Sequence, residues 1–378
     1  MNDTHPLTTA TMKADVWTIL LVLARLASAS PPAEATRARP WLDMRCAHAV
    51  NDHLLGVHEY FLAKEQEDNA LWNISTSNRR RRGHESGRGK RGISSRMSKS
   101  ARTFESENVS PPENTRTTVI PVMADNLGGS FEIVVPTYIH FITDLSADSM
   151  SFYLRNIQKI MDNLNAPFHP HGIHHSLRGM DTTHAPFWAA GMAPYEMIRW
   201  LRQGSQASLN FFVIDVWDMR SLEWDPSSSS TSTEILGATL SSALLDKPID
   251  VDAVLIKTGA VEMSNVMAHE AGHWHGLLHT FEGGGCDPRF DHGDYVRDTP
   301  RQRGATNICP RGAGLVDTCP DRVEDGTGDV ADPSESGPDA VDNVMDYTPE
   351  RCRLKVRFTG GQVLRMLNFW KKYREPYL

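Results

Sequence analysis

The sequence has few cysteines, no surplus of basic residues and no apolar run long enough to span a membrane. Five cysteines in 378 residues are too few for a fold built mainly from disulfides. The net charge of −8 argues against a nucleic-acid-binding protein. The apolar stretch at residues 16–24 is too short for a stable membrane anchor. A hydrophobic fraction of 40% is nevertheless sufficient for a sizeable core.

Residues 1–29 are typical of a leader followed by an export signal. Lys13 precedes the apolar stretch, and Ala27-Ser28-Ala29 supplies a small-x-small cleavage site. Arg25 weakens this pattern, and a short buried helix is the alternative interpretation. The pattern predicts a secreted, extracellular protein.

Residues 30–117 are predicted to be a propeptide. Residues 43–66 carry apolar side chains at helical spacing and are expected to form a short helix. Residues 67–118 are rich in Arg, Ser, Gly and Asn, so we expect a disordered linker there. The basic run at residues 79–82 and the pair Lys90-Arg91 are suitable sites for a processing protease. The alternative is a solvated linker that is never cut.

Residues 118–378 are predicted to form one folded domain. Strands are expected at residues 134–142, 209–216, 235–240 and 253–256, and a helix at residues 152–164. Because strands alternate with helices, the pattern predicts an α/β layer.

The most informative segment runs from His269 to His279. Two histidines four residues apart, His269 and His273, lie on one face of a helix and can present two imidazoles to one metal ion. Gly276 can adopt a positive φ and end the helix, so that the chain turns back and brings His279 in as a third ligand. Three neutral imidazoles leave a fourth position for water, as a catalytic zinc ion requires. Glu270 is then placed to take the proton of that water as it attacks a peptide carbonyl.

The alternative interpretation of this segment is a helix with surface histidines, which the extended motif argues against. Four further histidines lack zinc-ligand spacing and are expected in a loop or a strand: His169, His171, His174 and His175. His275 lies out of register with the ligand face, so we expect it not to bind the metal.

With these motifs the sequence resembles the metzincins, and within them the pappalysin family with its secreted fungal metalloproteases. The resemblance covers residues 119–374. Its motifs occur in family order and include Tyr138-Ile139-His140-Phe141, the zinc motif, Asn343-Val344-Met345-Asp346-Tyr347 and Phe358-Thr359-Gly360-Gly361-Gln362. It implies a metzincin-like catalytic domain with a twisted, mostly parallel sheet, an antiparallel edge strand and an active-site helix. It also implies a C-terminal subdomain in which a methionine turn places Met345 under the histidines.

The resemblance implies further roles near this site. Tyr347 resembles the tyrosine that stabilises the oxyanion, with a core tyrosine as the alternative. Residues 236–240 correspond to the edge strand along which substrate lies. Glu350 lies near the position where relatives have an acidic residue in the pocket for the residue after the scissile bond. A carboxylate there favours Lys or Arg, and a solvated glutamate is the alternative.

The loop after the zinc motif contains four cysteines and several aspartates. The resemblance implies the disulfides Cys286–Cys319 and Cys309–Cys352, although the sequence alone allows three pairings. It also implies calcium ligands at Asp287, Asp294 and Asp298, with a solvated acidic loop as the alternative.

The fifth cysteine, Cys46, lies in the predicted propeptide. A thiolate is a good fourth ligand for zinc and displaces the catalytic water. We therefore expect Cys46 to keep a zymogen latent until the basic linker is cut. A buried or externally paired thiol is the alternative.

These patterns favour a secreted zinc endopeptidase that acts on protein or peptide substrates. The alternative is a catalytically silent, zinc-stabilised binding protein. The presence of Glu270 together with the full ligand set argues against that alternative.

Overall fold

The computed structural model describes about half of the chain. The described residues are 46–47, 56–65, 111–112, 114–121, 132–144, 151–215, 235–241, 249–263, 265–286, 293–306, 309, 316–319, 337–352 and 356–378. The predicted export signal, the basic segment 79–91 and Asp287 lie outside these residues.

Seven strands form one sheet in the described part of the chain. They are β1 (Cys46–Ala47), β2 (Arg116–Ile120), β3 (Ile133–Thr143), β4 (Ile173–His184), β5 (Leu209–Ile214), β6 (Gly237–Leu240) and β7 (Ala253–Lys257). Their order across the sheet is β1-β6-β7-β5-β3-β4-β2. Strands β4, β3, β5 and β7 are parallel, whereas β6 and β2 run antiparallel to their neighbours β7 and β4. The predicted mixed α/β fold with a mostly parallel sheet is therefore confirmed.

Six helices accompany the sheet in the described residues. They are α1 (residues 56–65), α2 (Ser151–Asn165), α3 (Pro186–Ala189), α4 (Pro194–Leu201), α5 (Val266–Trp274) and α6 (Gly360–Tyr373). Short 3-10 turns occur at His169–His171, Ile249–Val251, Thr258–Ala260, Glu350–Cys352 and Glu375–Tyr377. No helix of the described residues combines the length and the apolar character needed to cross a membrane.

The two outermost strands of the sheet, β1 and β2, include residues that lie before the predicted start of the folded domain at residue 118. The strand predicted to lie at the edge, β6, pairs on its outer side with the two residues of β1, in parallel register. At the opposite edge β2 spans residue 118, the boundary predicted between propeptide and folded domain. Segments assigned to the propeptide thus pair with both margins of the sheet.

The interior strands are buried on both faces, as in other parallel sheets. Every residue of Leu209–Ile214 is buried. Three of the strands are joined by a buried polar network, in which His140 of β3 lies 2.7 Å from Asp181 of β4 and 3.1 Å from Asn210 of β5. The network satisfies polar groups that would otherwise be costly in the core.

Helix α5 is buried over its whole length and packs against α2, β6 and β7. Its last residue, Trp274, is held by the end of the chain. Arg374 forms a bidentate ion pair with Asp252 at 3.0 and 3.1 Å, and its guanidinium carbon lies 3.9 Å from the centre of the Trp274 ring. Trp274 Nε1 in turn donates to Asp252 at 2.8 Å. The C-terminus therefore fixes the end of the helix that carries the predicted ligands.

Candidate active site

Three histidines converge at the end of α5. His269 and His273 lie one turn apart on the helix, and Gly276 follows the helix in the left-handed region with φ 89°. The chain therefore reverses and returns with His279. The Nε2 atom of His273 lies 3.1 Å from that of His269 and 3.2 Å from that of His279. All three side chains are buried.

The outer nitrogen of each ring is already engaged. The Nδ1 atom of His269 donates to the carbonyl of Val344 at 2.7 Å, and that of His273 donates to the carbonyl of Leu277 at 2.8 Å. The Nδ1 atom of His279 lies 3.3 Å from a carboxylate oxygen of Glu282. With the protons held at Nδ1, the three Nε2 atoms present lone pairs to one another.

Lone pairs at such short distances repel unless a cation lies between them. A tetrahedral zinc ion with bonds of about 2.0–2.1 Å places its nitrogen ligands about 3.3 Å apart, close to the two separations observed. The backbone and carboxylate partners at Nδ1 are those that orient histidine ligands in zinc sites. The three residues therefore fit a zinc ion, and they are the only group of three or more such side chains that converges within the described residues.

Met345 packs against Gly272 of α5, the helix that carries two of the histidines, and its predicted position beneath the three rings stays a prediction. Its side chain is fully buried, and a Cβ added at position 272 would collide with its sulfur. The turn that carries Met345 is held by Asn343, whose side-chain oxygen accepts from the Met345 N–H at 2.8 Å. Asn343 also donates to Gln362 of α6 at 2.8 Å. The turn and the last helix are therefore coupled.

The predicted catalytic base, Glu270, is only 1% exposed and is held by strand β6. The hydroxyl of Thr239 lies 2.8 Å from Oε2 of Glu270 and 2.9 Å from its backbone carbonyl. On the other side Gly237 leaves room for the carboxylate, since a Cβ there would lie 2.7 Å from its Cγ. These two residues of one strand fix the orientation of the carboxylate.

Tyr347 and Phe281 complete the walls around the third histidine. The hydroxyl of Tyr347 lies 3.0 Å from Nε2 of His279 and can donate to a group at that position. The ring of Phe281 stacks on His279, with centroids 4.7 Å apart and an angle of 9° between the planes. The hydroxyl of Tyr347 is thus beside the ligand nitrogens.

A small pocket lies next to the turn that carries Met345. Its lining includes Asn265, Val344, Asp346 and Glu350. Asp346 is held internally by Gln302, Thr306 and Thr348. The structure thus places Glu350 in the lining of a pocket beside the segment that carries Met345, and its specificity role stays a prediction.

The two described aspartates of the acidic loop are bonded to the start of α6. Asp298 accepts from the hydroxyl of Thr359 at 2.7 Å and from the N–H of Gly361 at 2.8 Å. Asp294 accepts from the N–H of Val296 at 3.0 Å and from Gln362 at 3.4 Å. Burial raises the pKa of Asp294 to about 7, against the opposing effect of its hydrogen bonds. A calcium ion at these residues and Asp287 therefore stays a prediction.

The other histidines do not join the metal group. His169 and His171 form a 3-10 turn, and His174 and His175 lie in β4. His275 lies 3.1 Å from His175 in the core. Burial, followed by the nearby positive charge of Arg374, lowers the pKa of His275 to about 3. The pKa of His175 is also lowered by burial. Both rings are therefore neutral at physiological pH.

The structure contains the two disulfides that the resemblance implies, Cys286–Cys319 and Cys309–Cys352. The backbone of Cys46 lies in β1 and pairs with Gly237, the glycine that contacts Glu270.

Sequence patterns did not indicate Thr239, Gly237 or Gln362 as parts of the site. Thr239 and Gly237 belong to a strand that the sequence predicted, but strand periodicity does not show which residue a distant carboxylate will contact. The pattern Thr359-x-x-Gln362 is a capping-box signal that predicts a helix start, and the structure has that capping box.

Comparisons with known proteins agree with this geometry. A family model described as peptidase M43, pregnancy-associated plasma protein-A, matches residues 252–371. An extracellular metalloprotease of Sordaria macrospora is 31% identical over 261 residues, covering 66% of this chain and 79% of the relative. Extracellular metalloprotease 1 of Coccidioides posadasii is 32% identical over 247 residues, covering 64% and 78%. A promirolysin mutant of Tannerella forsythia is a distant structural neighbour, with TM-score 0.42, 20% identity and coverage of 65% and 83%. The chain therefore belongs to the pappalysin (M43) family of metalloendopeptidases.

Proposed function

We propose that this protein is a secreted zinc endopeptidase that hydrolyses proteins and is made as a latent precursor. The observation that carries the proposal is the convergence of three imidazole nitrogens beside a buried carboxylate. The relatives are named extracellular metalloproteases, which together with the predicted export signal supports secretion.

In this proposal His269, His273 and His279 hold the zinc ion. Bound zinc supplies Lewis acidity, which makes water a nucleophile near neutral pH and polarises the carbonyl of the scissile bond. The hydrogen bonds at Nδ1 keep His269 and His273 in the tautomer that ligation requires. Met345 supports the rings from below by packing alone.

Glu270 acts as the general base and then as the acid. It accepts the proton of the attacking water and passes that proton to the nitrogen of the leaving amine. Because Thr239 donates to Oε2 of Glu270, the carboxylate does not need to reorient during the reaction. The fixed orientation avoids a reorganisation cost in the transition state.

Tyr347 stabilises the negative charge that develops on the carbonyl oxygen. Its hydroxyl lies 3.0 Å from Nε2 of His279, on the metal side of the site. A donor placed there forms a stronger hydrogen bond with the oxyanion than with the ground-state carbonyl. This difference is the condition for lowering the activation barrier of the hydrolysis.

Substrate binding is proposed along β6 and in the neighbouring pocket. An extended peptide adds to a strand edge through backbone hydrogen bonds. The side chain after the scissile bond enters the pocket that Glu350 lines. A carboxylate at this pocket favours Lys or Arg through a charge-assisted hydrogen bond.

Latency is proposed to depend on Cys46. The strand β1 occupies the outer edge of β6, where substrate is expected to bind. The register places Cys46 beside Gly237, which contacts Glu270. A thiolate from this position is the fourth zinc ligand in the proposal, and a cut in the basic segment 79–91 permits its release. A thiol buried or paired elsewhere is the alternative.

Casein hydrolysis by the processed protein tests the function. We expect hydrolysis to be abolished by a zinc chelator, restored by added zinc, and abolished by Glu270→Gln. Tyr347→Phe should lower kcat while leaving zinc content unchanged. Glu262→Gln is the matched control, since Glu262 is exposed and lies on the same approach to α5. A pure processed protein that has been freed of its N-terminal fragment and binds zinc but cleaves nothing would instead be a silent binding protein.

A further inference from the structure

Helix α1, residues 56–65, belongs to the predicted propeptide and yet forms part of the core around α6. Phe61 is fully buried, in one cluster with Leu278 and Phe369. Leu278 immediately precedes His279, the third histidine of the site. Helix α1 therefore packs directly on the turn that presents this histidine.

Arg365 of α6 is held mainly by α1. Its side chain is 0% exposed. Its Nε and Nη2 atoms donate to the carboxylate of Glu65 at 2.8 and 3.1 Å, and Nη1 lies 2.9 Å from Nδ1 of His58. Nη2 also donates to the carbonyl of Tyr295 at 2.5 Å. Of these four contacts, three are made with the predicted propeptide.

Other residues of α6 also contact the aromatic side chains of α1. The ammonium of Lys372 lies 3.3 Å from the centre of the Tyr60 ring, within the range of a cation–π contact. Phe61 lies 6.2 Å from Tyr373, centre to centre, in an edge arrangement. Helix α6 thus offers a guanidinium, an ammonium and aromatic rings to α1.

We propose that residues 56–65 remain bound to α6 after the chain between α1 and β2 is cut, so that the excised pro-segment becomes a separate, non-covalent ligand of the enzyme. The inference rests on the proposed latent precursor. A cut outside the interface removes none of its contacts. Dissociation, by contrast, leaves the buried guanidinium of Arg365 without its carboxylate and exposes Phe61 and Phe369 to water.

Retention of α1 has a consequence for latency. Residues 46–47 lie only a short stretch of chain before α1, so the bound helix keeps β1 at a high effective concentration beside β6. A single cut in the linker is therefore insufficient for full activity. Displacement or degradation of the pro-segment is the second event that full activity requires.

The test uses the full-length chain with a recognition site for a specific protease inserted within residues 79–91. After the cut, size-exclusion chromatography measures how much N-terminal fragment co-elutes, and casein hydrolysis is followed in the same fractions. We expect the wild-type fragment to be retained and hydrolysis to stay suppressed until the fragment leaves. Glu65→Gln should weaken retention by about a hundredfold or more, because it removes the carboxylate that accepts two hydrogen bonds from the buried Arg365. The control, Glu59→Gln, changes an exposed carboxylate of the same helix and should alter retention by less than about threefold.

The outcomes separate this inference from the proposed protease function. A wild-type fragment that separates immediately on cutting would overturn the inference, and so would full casein hydrolysis with the fragment still bound. Retention of the wild-type fragment is measured by itself, so the test does not depend on the folding of Glu65→Gln. If no form hydrolyses casein even after the fragment has been removed, the protease function fails, whereas co-elution still decides whether α1 is retained.

Discussion

Replacement of Thr239 by valine should impair catalysis without disturbing the fold. Thr239 is 5% exposed, and its hydroxyl lies 2.8 Å from Oε2 of the buried Glu270. Valine has nearly the same shape and keeps the β propensity of the strand, so the backbone of β6 should be unchanged. The substitution removes one donor and nothing else from the environment of the carboxylate.

The expected magnitude follows from the strength of that hydrogen bond. A hydrogen bond to a charged group contributes about 1.5–3 kcal/mol. If the loss is felt mainly in the transition state, where the carboxylate must be oriented, kcat falls roughly 10- to 150-fold, since about 1.4 kcal/mol corresponds to a factor of ten. KM should change by less than about twofold, because the donor does not touch substrate.

Steady-state kinetics on a fluorogenic peptide, together with zinc content and Tm, measure the effect. Thr239→Ser keeps the hydroxyl and should recover most of the lost rate. Thr239→Val with wild-type kcat would refute the positioning role. An equal loss in Thr239→Ser and Thr239→Val would point to packing rather than to the hydrogen bond.

Four other substitutions test separate parts of the molecule. Glu350→Gln should lower kcat/KM about 10- to 100-fold for peptides with Lys or Arg after the scissile bond. The control is Glu375→Gln, which changes an exposed carboxylate. An equal effect of this control, or a wild-type enzyme with no preference for Lys or Arg, would rule out the pocket role. Cys46→Ala should make the uncut full-length chain hydrolyse casein, and unchanged latency in this variant would disprove the thiol mechanism. Arg374→Met should lower the free energy of unfolding by about 3 kcal/mol, because it removes the bidentate partner of the buried Asp252 and leaves only Arg202 at 4.0 Å. Arg199→Met, which breaks an exposed pair with Asp250, should cost less than about 1 kcal/mol. Similar losses for the two variants in denaturant titrations would contradict this difference. Burial raises the pKa of Asp294 from 3.8 to about 7. Its contribution to stability is therefore fully present below pH 3.8 and is lost as the pH rises through 7. Asp294→Asn should flatten this decline in Tm, and an unchanged profile of Tm against pH would show that Asp294 does not cause the decline.

The metal group was predictable from the sequence because its geometry is local. His269 and His273 are separated by one helical turn, and His279 follows after one glycine reversal. Strands β3, β5 and β7 were also predictable, since each is a run of apolar residues in a sheet buried on both faces.

Contacts between distant segments could not be predicted in this way. Glu65 and Arg365 are 300 residues apart, and in the sequence each resembles an ordinary exposed charged residue. Strand β4 has three His and two Thr among its twelve residues, so it lacks the apolar pattern of a buried strand. Pairing with β3 and β2 on its two sides determines its conformation. Likewise the hydrogen bond between Thr239 and Glu270 becomes apparent only when β6 is placed beside α5.

The reversal at Gly276 ties metal binding to the order in which the chain is made. Gly276 contacts the ring of Phe369, so closely that a Cβ would collide with it, and α6 thereby supports the turn that presents His279. The last of the three histidines, His279, is translated 90 residues before Phe369. A nascent chain halted before Phe369 therefore has all three histidines but lacks the ring that supports the turn before His279.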